Sequence, residues 1–101
     1  MGTGLIDTGA TFTAVDASVV AALGIPPIGV VTSGTAGGQR QQSQYPAALS
    51  FPGTNFPSMT FGFVVGCDLT GVDFNVLIGR DVLAYFVMVY NGVFGQFILS
   101  M

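Results

Sequence analysis

Fifteen glycines and five prolines are distributed along a chain of 101 residues, and this punctuation confines it to short segments. Glycine and proline interrupt both helices and strands, so what survives between them is strand-length pieces joined by turns. Tyr45, Ala47, Leu49 and Phe51 alternate with Pro46, Ala48 and Ser50, the two-residue period of a half-buried strand. Met59, Phe61, Phe63 and Val65 repeat that pattern. Phe86 to Tyr90 and Phe94 to Leu99 are β-rich runs on either side of Asn91-Gly92, which predicts a C-terminal hairpin. The expected class is all-β with one or two short helices.

Two segments break the strand pattern. Asp16 is placed to cap a helix that carries Val19, Val20 and Leu23, ends at Gly24 and is sealed by Pro26-Pro27. Its apolar face is expected to be Val15, Val19 and Leu23. A second helix of one or two turns is expected from Arg80 to Tyr85. Thr32 to Ser43 is polar and rich in glycine and glutamine, and strand-like residues flank it, so it reads as a long mobile hairpin. No repeat of 20 to 50 residues is visible, but Leu5-Ile6-Asp7-Thr8-Gly9 and Leu77-Ile78-Gly79-Arg80-Asp81 faintly echo each other.

The ionisable residues exclude whole classes of chemistry. There is no His, Lys+Arg is 2 against Asp+Glu 5, and Cys67 stands alone. Triads built on histidine, His-ligated metals, P-loop lysines and Schiff bases are therefore out of reach. Two arginines, Arg40 and Arg80, cannot neutralise a phosphate backbone, so no nucleic-acid partner is expected. Cys67 cannot form a disulfide within the chain and reads as a small buried apolar residue. No metal and no cofactor is expected.

Charged residues make up 7% of the chain, where about 25% is usual. With apolar residues at 50%, part of the surface is expected to meet another chain. The longest apolar run, Val82 to Tyr90, is far short of the roughly 20 residues that cross a bilayer. Met1-Gly2-Thr3-Gly4 has no signal-peptide anatomy. The expectation is one cytoplasmic domain over residues 1–101, oligomer-prone and without a membrane partner.

Five aspartates are the candidate catalysts. Asp16 reads as a helix cap, Asp68 and Asp73 as solvated loop acids, and Asp81 as a cap for the second helix. Asp7 is different, because it follows Leu5-Ile6 and precedes Thr8-Gly9-Ala10. A carboxylate beside a core strand is costly unless it shares its charge or is hydrogen-bonded. Taken alone, Asp-Thr-Gly is also an ordinary turn sequence. Gly2-Thr3-Gly4 lacks the third glycine of a dinucleotide fingerprint, and Asp7 would repel phosphate.

In order along the chain stand Leu5-Ile6-Asp7-Thr8-Gly9-Ala10-Thr11, a Gly-rich hairpin and Val76-Leu77-Ile78-Gly79-Arg80-Asp81-Val82-Leu83. This combination resembles the retropepsin-like aspartic proteases, the single-lobed relatives of pepsin. The resemblance implies a closed β-barrel half with a flap hairpin over the cleft. Asp7 is then catalytic, supported by Thr8, Gly9, Leu77, Ile78, Gly79 and Arg80. Gly9, Ala10, Ile78 and a flap tip at Gly37-Gly38 would contact substrate. It also implies an aspartic endopeptidase active as a homodimer, with a peptide or protein substrate.

The chemistry accounts for the dimer. Two carboxylates about 3 Å apart cannot both ionise, so one serves as base toward water while the other stays an acid. One Asp-Thr-Gly per chain then requires a two-fold partner. The resemblance also implies a β segment ahead of the catalytic loop, where this sequence has Met1 to Gly4. An acid normally follows Asp-Thr-Gly-Ala to pair the helix arginine. Here Thr11 occupies that place, which leaves Asp16 or Asp81 as partner for Arg80. The alternative function is a non-catalytic or incomplete domain of this fold, serving dimerisation or peptide binding.

Overall fold

The computed structural model describes residues 2–35 and 38–101, with residues 33–35 and 40 described by backbone alone. The elements run β1 (Gly4–Ile6), β2 (Ala14–Asp16), α1 (Ala17–Ala22), β3 (Gly29–Thr35), β4 (Gly38–Leu49), β5 (Met59–Cys67), β6 (Val76–Ile78), α2 (Arg80–Leu83), β7 (Val87–Asn91) and β8 (Gln96–Ser100). The chain is thus mostly β with two short helices. Six strands form one sheet in the order β1-β6-β2-β5-β4-β3, and β7 and β8 form a second sheet of their own.

The expected barrel does not close. A barrel needs its first and last strands to pair, whereas β1 is hydrogen-bonded to β6 and β3 to β4, leaving both as edges. The echo between the two Leu-Ile segments has a spatial meaning: β1 and β6 run parallel with Leu5 opposite Leu77 and Ile6 opposite Ile78. β2 then joins β6 antiparallel and β5 parallel, which places β6 and β2 inside the sheet.

The alternation from Tyr45 to Phe51 appears as alternating half-buried and exposed residues. Near Pro46 the pairing of β4 with β5 shifts register, from Tyr45↔Val64 to Ala47↔Phe61, a place where a residue without an N–H is tolerated. On β5 the alternation holds to Phe63, and then Val64 and Val65 are both buried because the strand passes between β2 and β4. Val15, Val20 and Val64 form the core cluster, with Val19, Tyr45, Ala47 and Val76 packed against it. Leu23 does not join this face. It is 69% exposed, and Val20 takes the inward position instead. Gly24, at φ 70°, turns the chain out of the helix as glycine can.

β3 and β4 form the long hairpin expected around Thr32 to Ser43, registered from Gly29↔Gln44 to Thr35↔Gly38. The expected C-terminal hairpin also forms, with a different turn. Asn91 pairs with Gln96, so the connection is the four residues 92–95, not the dipeptide Asn91-Gly92. The Asn91 side-chain oxygen accepts the N–H groups of Val93 and Phe94, and Gly95 supplies the positive φ. Phe51, Phe56 and Phe86 meet edge-on, with ring centroids 5.0–5.9 Å apart, and fasten the end of β4 to the start of that hairpin. No helix among the described residues is long and apolar enough to cross a membrane.

The core is built mainly from valines, so each one matters. Val64 is fully buried, and Val64→Ala should cost about 2 kcal/mol through lost burial and the cavity left behind. The exposed Val93→Ala should change stability by no more than ~0.5 kcal/mol. Urea unfolding of the two variants checks both.

Candidate active site

Asp7 lies just past β1, where the strand gives way to a turn. Its N–H donates to the Ile78 carbonyl at 2.9 Å, and the Ala10 N–H donates back to the Asp7 carbonyl at 3.2 Å. The loop is thereby pinned to the end of β6. The Gly9 N–H donates to Asp7 Oδ1 at 3.0 Å, an orientation that fixes one carboxylate oxygen. A Cβ at position 9 would stand 3.3 Å from that oxygen, so glycine is suited to the close approach. Asp7 is half-buried, and Thr8 and Gly9 are exposed.

Gly79 explains the Leu-Ile-Gly pattern. It is buried and extended, and a Cβ there would lie 2.6 Å from the Phe12 carbonyl carbon and 2.9 Å from the Thr13 nitrogen. Only glycine lets β6 run directly against the outgoing arm of the Asp7 loop. Leu77 and Ile78, on the same strand, are half-buried beside Leu5 and Ile6.

The carboxylate of Asp81 locks this crossing. It accepts the Thr13 N–H on both oxygens at 3.0 Å and the Thr13 hydroxyl on Oδ1 at 2.6 Å. The Val82 N–H adds a bond of 2.8 Å to Oδ1. Thr13 Oγ1 in turn accepts the Gly79 N–H at 3.0 Å, and Thr13 is fully buried. Asp81 is thus no cap in the expected sense, because Gly79 holds the N-cap position of α2. Nor is Asp81 the partner of Arg80. The Arg80 guanidinium donates to the Thr8 carbonyl at 3.1 Å and to Thr11 Oγ1 at 3.0 Å, and its N–H donates to the Ala10 carbonyl at 2.8 Å. Asp16 is not its partner either: its carboxylate accepts the Ser18 hydroxyl and the Leu69 N–H. Asp16 does stand at the N-cap of α1, but its side chain makes no capping bond.

Thr13 is the residue that sequence reasoning overlooked. The available signal was a hydroxyl between Phe12 and Ala14-Val15, in a stretch otherwise apolar. Of the expected substrate contacts, Gly37 lies outside the described residues, and Gly38 opens β4 at φ 114°. A cavity of about 680 Å³ lies beside Ile78, lined also by Gly2, Gly4, Val76 and residues 48–52 and 54. It takes in Ile78, whereas Gly9, Ala10 and Gly38 do not line it.

Elsewhere, Asp68 is exposed as expected, and Thr70, by its side chain and then its N–H, holds the carboxyl below its ordinary range. Cys67 is half-buried. Burial, then the carboxylates of Asp16 and Asp68, push its thiol above the ordinary value. Less thiolate is present at a given pH, so iodoacetamide at about pH 8 should label the native chain more slowly than the urea-unfolded chain. Among the described residues no three His, Cys, Asp or Glu side chains gather as a metal site would require.

The lock generates a sharper prediction. Thr13→Val keeps the shape but removes the hydroxyl from Asp81 and Gly79, leaving part-buried groups without partners. It should destabilise the fold by about 2–3 kcal/mol, whereas Thr13→Ser should recover most of the loss in thermal unfolding.

Neither the curated proteins nor the solved structures contain a match to this chain. A family profile described as aspartyl protease does match, over residues 2–82, and so takes in the Asp7 loop, β6, Gly79 and the Thr13–Asp81 lock. On that match, the chain belongs to the aspartyl protease family, of retropepsin-like type.

Proposed function

We propose that this protein is an aspartic-type endopeptidase in which Asp7 of two chains forms the catalytic dyad. The observation that carries the reading is the oriented carboxylate of Asp7, held by Gly9 on a loop tied to β6, within a family of aspartyl proteases. In this reaction one Asp7 is ionised and its mate protonated. The ionised carboxylate takes a proton from water as the water oxygen bonds to the scissile carbonyl carbon, and the protonated one gives its proton to the carbonyl oxygen. As the tetrahedral adduct collapses, one of its hydroxyls returns a proton to the ionised Asp7 while the protonated Asp7 gives its own to the nitrogen, and the C–N bond breaks to a carboxylic acid and an amine, leaving one proton on the dyad. Thr8 binds across the two loops, and Leu77, Ile78, Gly79 and Arg80 hold each loop in place. The β3–β4 hairpin serves as the flap. No cofactor takes part.

The C-terminal hairpin supports the dimer. Val87, Val89, Tyr90, Phe97 and Ile98 are all exposed, as is Val93 at 90%. Such a run of apolar side chains on an otherwise unpartnered two-stranded sheet fits a surface that meets a second copy. Both faces of the hairpin present exposed apolar side chains, Phe97 on one and Ile98 on the other.

Asp7→Asn should abolish cleavage of a denatured protein substrate while thermal unfolding changes little, since the substitution is isosteric. Wild-type activity in that variant rules the dyad out. Activity should be greatest at acid to mildly acidic pH, where the dyad holds one proton, and should fall as both groups ionise; EDTA should have no effect. Specific activity should drop on dilution as the dimer dissociates. Leu99→Asp should weaken the dimer in sedimentation and lower activity most at low protein concentration. A monomer that is inert at every concentration would favour the non-catalytic domain instead.

A further inference from the structure

Among the described residues no carboxylate pairs with Arg80. Its guanidinium is fixed by two neutral acceptors, the Thr8 carbonyl and Thr11 Oγ1, and the residue is exposed, as are Thr8, Gly9 and Thr11 around it. The neighbouring acids are committed elsewhere. Asp81 is turned inward onto Thr13 and Val82, and Asp7 Oδ1 accepts the Gly9 N–H. A guanidinium has five N–H donors in a rigid fork, and the two bonds to the loop orient that fork without using it up. The outcome is a pre-oriented cation at the surface of the loop that carries Asp7, on a chain whose net charge is -3.

We propose that Arg80 is a specificity subsite that binds a carboxylate of the peptide substrate, an Asp or Glu side chain within a few residues of the scissile bond. The placement argues for it: Arg80 grips the carbonyl of Thr8, the residue next to Asp7, so a peptide lying over Asp7 passes close to the fork. Carboxylate is the group such a fork binds in two-point fashion. Thr11 is what leaves the site open, since an acid at that position would fill it from within the chain. The inference rests on the peptide-hydrolase reading of Asp7 for its substrate, and the test separates the two.

The experiment uses fluorescein-labelled peptides carrying Glu or Gln at each of three positions on either side of one apolar pair. Their binding to the uncleaving Asp7→Asn chain is followed by anisotropy. At about pH 6 and low salt, Glu should bind about fivefold tighter than Gln at one or more positions, the scale of an exposed ion pair. The ratio should fall towards one near pH 3.5, where glutamate takes up a proton, and at high salt. Arg80→Gln and Thr11→Asp should each abolish the ratio, and Arg80→Lys should keep part of it. A role for Arg80 in loop structure alone would weaken Glu and Gln peptides equally. If Arg80→Gln fails to fold, Thr11→Asp still decides. A ratio near one at all six positions overturns the proposal, as does failure of every peptide to bind. So does an Arg80→Gln variant that changes self-association and leaves the ratio intact, which would assign the charge to an acid of a second copy. Wild-type cleavage is assayed in parallel: a Glu preference in binding without cleavage removes the hydrolase reading and keeps the subsite, while cleavage without preference does the reverse.

Discussion

The carboxylate of Asp81 is the constraint from which the site is built. It lies part-buried and receives the N–H and hydroxyl of Thr13 together with the N–H of Val82. Without those donors a carboxylate in that position would cost several kcal/mol, on the order of a buried charge left unpaired. With them it ties the entrance of β2 to the first turn of α2, while the Thr13 hydroxyl reaches back to Gly79 at the end of β6. The start of β2 and the β6–α2 junction, 66 to 68 residues apart in sequence, thus meet at one hydroxyl. The loop bearing Asp7 runs from β1 to Thr13, so this lock fixes its outgoing arm, while the bond from the Asp7 N–H to the Ile78 carbonyl fixes its start.

That division separates Asp7, the proposed catalytic acid, from the structural acids. Arg80 and Asp81 are neighbours of opposite charge, yet their side chains part: one goes to the outer face of the Asp7 loop and the other to the interior beneath it. An ion pair between them would have consumed both. Because Thr13 satisfies Asp81 with neutral donors, Arg80 is released to hold Thr8 and Thr11 and to keep its charge at the surface.

Much of this was legible in the sequence, and the reasons differ by element. Alternation from Tyr45 to Phe51 reported a strand because one face of β4 is packed and the other open, and a period of two reads burial directly. The Leu-Ile echo reported a real neighbour pair, since both segments enter the sheet side by side and need the same residues. Asp7 stood out because a carboxylate after two large apolar residues needs a reason. Sheet closure was not legible, because it depends on whether two edge strands meet, and no local pattern encodes that. Asn91-Gly92 suggested a two-residue turn, but an asparagine can as well close a longer loop by accepting N–H groups on its side chain, as it does here. The partner of Arg80 was illegible for a related reason: charge counting looks for an acid, and the structure supplies a carbonyl and a hydroxyl.

The distribution of the remaining acids bears on how the site is completed. Asp16 is held by Ser18 and Leu69, Asp68 by Thr70 and Asp81 by Thr13, each in bonds local to its own element or to the interior. For Asp16, Asp68 or Asp81 to approach Asp7, its own bonds would have to be broken and the chain reorganised. A second copy of the chain brings an already oriented Asp7 at no such cost. The apolar hairpin formed by β7 and β8 lies beyond residues 2–82, the span that matches the family, and exposes side chains of the kind that association buries. In the proposed dimer, orientation of the carboxylate and recruitment of its mate would fall to different parts of the chain: the first to the lock under the loop, the second to the hairpin at the C-terminus. A chain with so few charges can carry both, because the lock needs one carboxylate and the hairpin needs none.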